Sequence, residues 1–363
     1  MSAKTFRGVY LKKSAQSGIK PPKGERGNLK WEEVKVESKP IPAIPEGHAL
    51  VQLHASALNH RDVFIRQGLY PRIIYDVILA ADGAGVLVEG GPKELKGQRV
   101  LINSSINWDS NPLGPENPAK YEVLGLPRNG TLAEYIVIPS KNVFAMPKQL
   151  SFEEAAAIPL AGLTAWRATF SIGQVKKGDL VLVPGIGGGV AMFAAQFAMA
   201  AGAEVYVTSS SDEKIQKAIK LGACVGGVNY KNKGWAKELS TKVKGRMWDV
   251  VVDGAAGTDS LREYMALLKW GGVYVTYGAT SDSFASILIP FLFQKQIKLC
   301  GSTMGSDREF KDMMVFIDKH QIKPVVSTVH QGLEKAEDAF VEMREGKQFG
   351  KIVVKINHNS NKL

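Results

Sequence analysis

The sequence predicts an α/β protein in which a doubly wound parallel sheet follows a mostly β region. Three observations predict it. From about residue 180, short apolar runs at 180–183, 204–208, 226–229, 250–253, 273–277 and 297–300 read as strands, with helical segments between most of them. The stretch VLVPGIGGGVAMFAAQFA, residues 181–198, passes from a buried strand through a glycine cluster into an apolar helix. Before residue 150 the chain is rich in β signals instead, with runs at 9–11, 49–55, 85–88, 99–102 and 135–138 bounded by Gly, Pro or charged turns.

The glycine cluster reads as a phosphate site. Gly185, Gly187, Gly188 and Gly189, with Ile186 and Val190 among them, let the backbone turn sharply and approach a pyrophosphate. The following helix start aims unpaired N–H groups and its positive dipole end at that phosphate. Ala191 stands where the last glycine of a G-x-G-x-x-G would be, a position of close helix–strand packing that alanine tolerates. The second strand ends in Ser209-Ser210-Ser211-Asp212-Glu213-Lys214. An acid in the Ser209 slot would accept the ribose 2′-hydroxyl of NAD; hydroxyls and the Lys214 ammonium suit a 2′-phosphate, so the cofactor expected is NADPH. The same run also reads as a solvated loop capping the next helix with Asp212, and the two readings are compatible.

Near the start, residues 6–11 read as a strand with 29–36 as its partner. Six Lys or Arg residues precede the first acid, Glu25, a pattern resembling a transit peptide; the two strands favour a folded N-terminus and a cytosolic protein. Residues 103–129 carry Pro112, Pro115, Pro118 and Pro127 and read as a long loop over an active site. Ser151 caps a helix, with Glu154 placed for a capping box. A helix at 307–320, a strand at 351–354 and a frayed polar tail at 357–363 complete the chain. The 363 residues carry a formal charge of +11, spread along the chain, which suits a phosphate-rich ligand. Two cysteines exclude a disulfide framework, and no apolar run reaches the length of a membrane span.

Asn59-His60-Arg61-Asp62, Arg66-Gln67-Gly68-Leu69-Tyr70-Pro71, Asp82-Gly83-Ala84-Gly85, Gly130-Thr131-Leu132-Ala133-Glu134-Tyr135 and Gly162-Leu163-Thr164-Ala165 precede the glycine turn in that order. This ordered set resembles the medium-chain dehydrogenase/reductases from residue 6 to 354, most closely the quinone oxidoreductase-like and zinc-type alcohol dehydrogenase-like proteins. The resemblance implies a GroES-like catalytic domain over 1–150 and 302–363 and a Rossmann domain over 151–301. It also places zinc ligands where this chain has Asn59, Ala81 and residues 160–162, and four structural cysteines in 103–129 where it has none. His48, His54 and His60 read as surface or core residues. Activity without zinc is therefore expected.

For the same reason, Tyr70 is the candidate proton donor, or else a packing residue beside Pro71, and Asn59 the candidate for binding a carbonyl oxygen. Asp62 is expected to pair with Arg66. The resemblance sets Thr164 against the nicotinamide, Tyr230 and Lys214 about the adenosine phosphate, and Lys351 toward the pyrophosphate. Gly254, Tyr277, Gly278 and Ala279 fall at strand ends of the cofactor domain. It implies an NADPH-dependent oxidoreductase acting on a quinone, enone, aldehyde or ketone. Alternatives are an enoyl-thioester reductase and a nucleotide- or RNA-binding protein on the same fold. It also implies a homodimer formed through edge strands at 273–277 and 297–300, with the apolar segment 287–293 lining the cleft or the interface.

Overall fold

The computed structural model describes residues 5–14, 30–255, 257–280 and 285–358. Lys4, Lys20, Lys23, Glu25 and the tail beyond residue 358 lie outside them. Two compact units divide the chain: residues 1–160, 306–310 and 323–363 form the first, and 161–305 and 311–322 the second. Residues 151–160 thus group with the first unit, and 302–305 and 311–322 with the second, unlike the division expected from the sequence.

The first unit is built on a seven-stranded sheet. Its order is Val326–Gln331, Lys351–Lys355, His48–Ala57, Asp82–Gly90, Arg99–Ile102 and Val143–Ala145, and Tyr135–Pro139 also pairs with His48–Ala57. Thr5–Lys12 pairs antiparallel with Glu33–Pro40, a few residues beyond the partner anticipated. Ser151 and Glu154 do form a reciprocal capping box, at 3.1 and 2.8 Å.

Residues 103–129 fold more tightly than a long loop. Ser105–Ile106 pairs with Glu122–Val123, and Ile106, Trp108 and Leu124 are buried. The Glu116 carboxylate accepts the backbone N–H groups of Asp109, Ser110 and Asn111 at 2.8, 2.7 and 2.8 Å. These bonds hold its carboxyl far below the usual range, at about 2.

The second unit is a six-stranded sheet in which every pairing is parallel. Its order is Gly226–Asn229, Glu204–Ser209, Leu180–Val183, Trp248–Asp253, Leu268–Thr276, Lys298–Gly301. The central strands are apolar throughout because both faces are covered: Val181, Leu182, Val183, Val205 and Val207 are fully buried. Numbered along the chain the order is 3-2-1-4-5-6, so the direction of winding reverses between Leu180–Val183 and Trp248–Asp253. Lys298–Gly301 is an edge strand as expected. Residues 273–277 are not: Leu268–Thr276 has a parallel neighbour on each side.

Candidate functional site

At the reversal point, the backbone of the second unit turns sharply from strand to helix. The strand Leu180–Val183 ends at Pro184, and the helix Gly189–Ala200 starts after Gly188. Gly187 has φ +126°, which an L side chain rarely adopts, and a Cβ there would stand 3.0 Å from the Lys214 Cδ. The Lys214 stem therefore lies across the turn. Burial first, then Lys217, draws its ammonium below the ordinary lysine value. No side chain caps the helix start, so the first-turn N–H groups of Gly189 and Val190 remain for an anion. Ile186 is buried and its N–H bonds the Thr208 carbonyl at 2.9 Å, which ties the turn to the second strand.

Most other candidates of this unit follow the carboxyl ends of its strands. Ser209 ends Glu204–Ser209, is 3% exposed, and accepts the Ser211 N–H at 3.2 Å. Ser210 is exposed, with its carbonyl held by Asn229 at 3.4 Å. Ser211, not Asp212, caps the next helix: its Oγ takes the Lys214 N–H at 3.3 Å, because Asp212 is already the first helical residue. Tyr230 follows Gly226–Asn229, half-exposed, its N–H on the Ser209 carbonyl at 3.0 Å. Gly254 follows Trp248–Asp253, and a Cβ there would fall 2.2 Å from the Tyr277 ring, so only glycine lets that ring lie on the strand end. Gly278 receives the Thr276 hydroxyl on its carbonyl at 3.0 Å, and Ala279 is exposed. Thr164 is buried on the helix Pro159–Trp166, its hydroxyl 3.8 Å from the Met304 sulfur.

Sequence reasoning missed Asp253. This fully buried acid takes the Tyr274 hydroxyl at 2.5 Å and the Ala255 N–H at 2.8 Å. Burial and the adjacent carboxylate raise the Tyr274 hydroxyl far above its ordinary value, so it stays a donor. The signal available was an acid ending an otherwise apolar strand, Val250-Val251-Val252-Asp253.

The first unit presents side chains rather than backbone. Tyr70 is half-buried, with the Arg61 guanidinium 5.2 Å from its ring centre. Arg61 is fixed by the carbonyls of Leu124 and Leu126, at 2.6 and 3.1 Å. Asn59 stands at the start of the helix His60–Arg66, and its N–H bonds Asp62 at 2.8 Å. Asp62 does not pair with Arg66. That guanidinium turns to Glu337 at 2.7 Å and to the Glu32 carbonyl at 2.8 Å. Asp62 is left fully buried with one oxygen unpartnered, and burial pushes its carboxyl up to about 6.

Lys351 departs furthest from its expected role at the pyrophosphate. It is 3% exposed, and its three N–H groups go to the Leu58 carbonyl, Asn59 Oδ1 and Asp82 Oδ2, at 2.6, 2.5 and 3.0 Å. All three partners lie in its own unit, and an ammonium has no fourth hydrogen to offer. Asn59 Nδ2 closes the triangle on Asp82 Oδ2 at 2.9 Å.

Residues 45–148 match the family model described as alcohol dehydrogenase GroES-like domain, and residues 189–319 the one described as zinc-binding dehydrogenase. The chain is 39% identical over 357 residues to the zinc-type alcohol dehydrogenase-like protein YogA of Leptosphaeria maculans, covering 93% of this chain and 98% of that one. This chain belongs to the medium-chain dehydrogenase/reductase superfamily. A solved structure described as an NAD-dependent alcohol dehydrogenase is 33% identical, with a TM-score of 0.83 over 97% of this chain and 100% of that one. The acryloyl-coenzyme A reductase of Sulfurisphaera tokodaii is 28% identical over 332 residues, 88% of this chain and 96% of that one.

Membership makes this chain an oxidoreductase of a nucleotide-dependent family, and the superfamily fold of a GroES-like unit with a parallel dinucleotide sheet is the one observed. The zinc its family model implies does not fit the residues present. Ala81 is a buried methyl group, Asn59 is committed to Lys351 and Asp82, and residues 160–162 are Leu, Ala and Gly. His48, His54 and His60 do not converge. His48 turns to the Glu46 carbonyl, His54 stacks on Phe152 and His60 meets Phe64 edge-on. Among the described residues no group of three His, Cys, Asp or Glu could hold a metal ion, and no helix is long and apolar enough to cross a membrane.

Proposed function

We propose that this chain is an NADPH-dependent, zinc-independent reductase of activated C=C or C=O groups such as quinones, enones, aldehydes or ketones. The observation that carries the reading is the carboxyl edge of the parallel sheet. There an uncapped helix start and a glycine turn lie beneath the Lys214 stem, and Ser209 replaces the acid that would repel a 2′-phosphate. When bound, the nicotinamide supplies the hydride. The first-turn amides hold the pyrophosphate, Ser209, Ser210 and Lys214 receive the 2′-phosphate, and Tyr230 flanks the adenosine. Tyr70 gives a proton to the reduced substrate, and Asn59 binds its oxygen. The acryloyl-coenzyme A reductase relative favours an activated C=C, including that of an enoyl thioester, as the bond reduced.

We also propose a homodimer. Among the described residues the edge strand Lys298–Gly301 leaves one side of its ladder unpaired, and Leu288, Ile289, Phe293 and Leu299 expose apolar surface beside it in sequence.

Cofactor titration tests the central reading. NADPH should bind at least tenfold tighter than NADH, about 1.4 kcal/mol, and Ser209→Asp should reverse the order. Equal affinities would overturn it. NADPH consumption across a panel of enones, quinones, aldehydes and enoyl thioesters identifies the substrate class, and it should survive exhaustive chelation.

A further inference from the structure

The triangle Asn59–Asp82–Lys351 brings together residues far apart in the chain. Asn59 begins a helix, Asp82 begins the strand Asp82–Gly90, and Lys351 begins Lys351–Lys355. Their exposures are 7%, 0% and 3%. Chemistry settles which way the Asn59 amide faces. An ammonium only donates, so the atom 2.5 Å from Lys351 Nζ must be the amide oxygen. A carboxylate only accepts, so the atom 2.9 Å from Asp82 Oδ2 must be the amide nitrogen. One Nδ2 hydrogen is thereby used, and the second is left over.

Neighbouring donors fix Asp82 in turn. Its Oδ1 takes the Leu160 N–H at 2.8 Å, and its backbone carbonyl takes the Thr131 hydroxyl at 2.7 Å, itself 2.8 Å from the Ser56 hydroxyl. An ammonium buried this deeply is costly unless a carboxylate faces it, and a neutral residue would have filled the space at less cost. The cluster holds a cation at its centre, bonded to Asn59, which stands at a zinc-ligand position of the resembling family, and to Asp82, which follows another, Ala81.

We propose that Lys351 is a positioning residue: its ammonium takes the organising place of a metal and pins the Asn59 amide so that the remaining N–H is held for the oxygen of the substrate. This rests on the reductase reading above. With its oxygen on an ammonium, the amide is the more polarised N–H donor, and the Asp82 contact fixes its orientation before substrate arrives.

The test compares Lys351→Met, Lys351→Arg, Asn59→Ala and Lys351→Met/Asn59→Ala. Lys351→Met should lower kcat by 10²- to 10³-fold while the NADPH Kd moves less than twofold. Asn59→Ala should lose about as much, the double variant little more than either, and Lys351→Arg should recover part of the loss. A dinucleotide Kd weakened tenfold or more with kcat intact would mean that Lys351 serves the pyrophosphate and would overturn the proposal. Additive losses in the double variant would overturn it as well. If Lys351→Met does not fold, Lys351→Met/Asp82→Asn removes both charges together and takes its place. If the wild type reduces nothing in the panel, the reductase reading fails first. The positioning claim then stands or falls on the Asn59 side-chain NH₂ resonances in asparagine-labelled protein. These should be shifted away from free-amide positions and exchange slowly with water in the wild type, and should move toward free-amide positions with faster water exchange in the Lys351 variant; identical spectra would reject it.

Discussion

The two units build their candidate sites from different material. The second unit works mainly with backbone: a glycine turn, first-turn amides and strand ends at the reversal of a parallel sheet. The first works with side chains: Tyr70 over a fixed arginine, and a charged triangle assembled from residues 59, 82 and 351. A site made of backbone tolerates most side-chain changes and is vulnerable where conformation itself is at stake. A site made of a few buried side chains is vulnerable at each of them.

That contrast ranks the expected effects. Tyr70→Phe keeps the ring and removes only the hydroxyl, so turnover should fall 10²–10⁴-fold, about 3–5 kcal/mol, with NADPH affinity nearly unchanged. An unaltered hydride step in single-turnover kinetics would assign the proton to another donor. Asp82→Ala leaves the Lys351 ammonium buried without its counter-charge, and urea unfolding should show a loss of about 3–5 kcal/mol. A loss under about 1 kcal/mol would mean that water reaches the cluster.

Asp62 sharpens the comparison through pH. Its carboxyl titrates near 6 in the folded chain against 3.8 in the reference state, with Arg61, Lys351 and Asp82 as its charged neighbours. The folded state binds this proton more tightly than the unfolded one. Its contribution is therefore complete below pH 3.8 and is lost as pH rises through 6, about 3 kcal/mol in all. Asp62→Asn keeps an acceptor for the Asn59 N–H and should gain about 1–3 kcal/mol over the wild type at pH 7.5, with the difference vanishing at pH 4. A constant difference across that range would contradict the assignment. The second unit's counterpart is Gly187→Val, which forces a side chain to φ +126° beside Lys214. It should cost about 1–3 kcal/mol of stability and weaken NADPH binding in titration, whereas most surface changes at the same edge should do little.

The contrast also decides what could be read from sequence. Strand, glycine turn and helix are contiguous, so their pattern carries that candidate site, and the parallel strands of the second unit all fall where alternation put them. Ser211 as cap differed from expectation by one residue because two neighbouring side chains could each do that work. Residues 273–277 looked like an edge because pairing partners are not written into a strand. Lys351 was misplaced for a stronger reason. Nothing near it in the chain announces Asn59 or Asp82, and the resemblance directed it toward the pyrophosphate instead. Asp62 and Arg66 have helical spacing for an ion pair, yet Glu337, from the far end of the sequence, supplies the partner.

Glu116 carries one more consequence. Its carboxylate gathers the amides of Asp109, Ser110 and Asn111 in the lobe where zinc-type members of the superfamily have clustered cysteines. A lobe tied by metal and thiolate comes apart under chelators, oxidants and thiol reagents. This one has nothing for them to attack. Its clasp is a single negative charge, whose hold is complete above the ordinary glutamate value of 4.5 and fades as pH falls toward about 2. Glu116→Gln removes that charge and leaves the lobe to its strand pairing and to buried Ile106, Trp108 and Leu124.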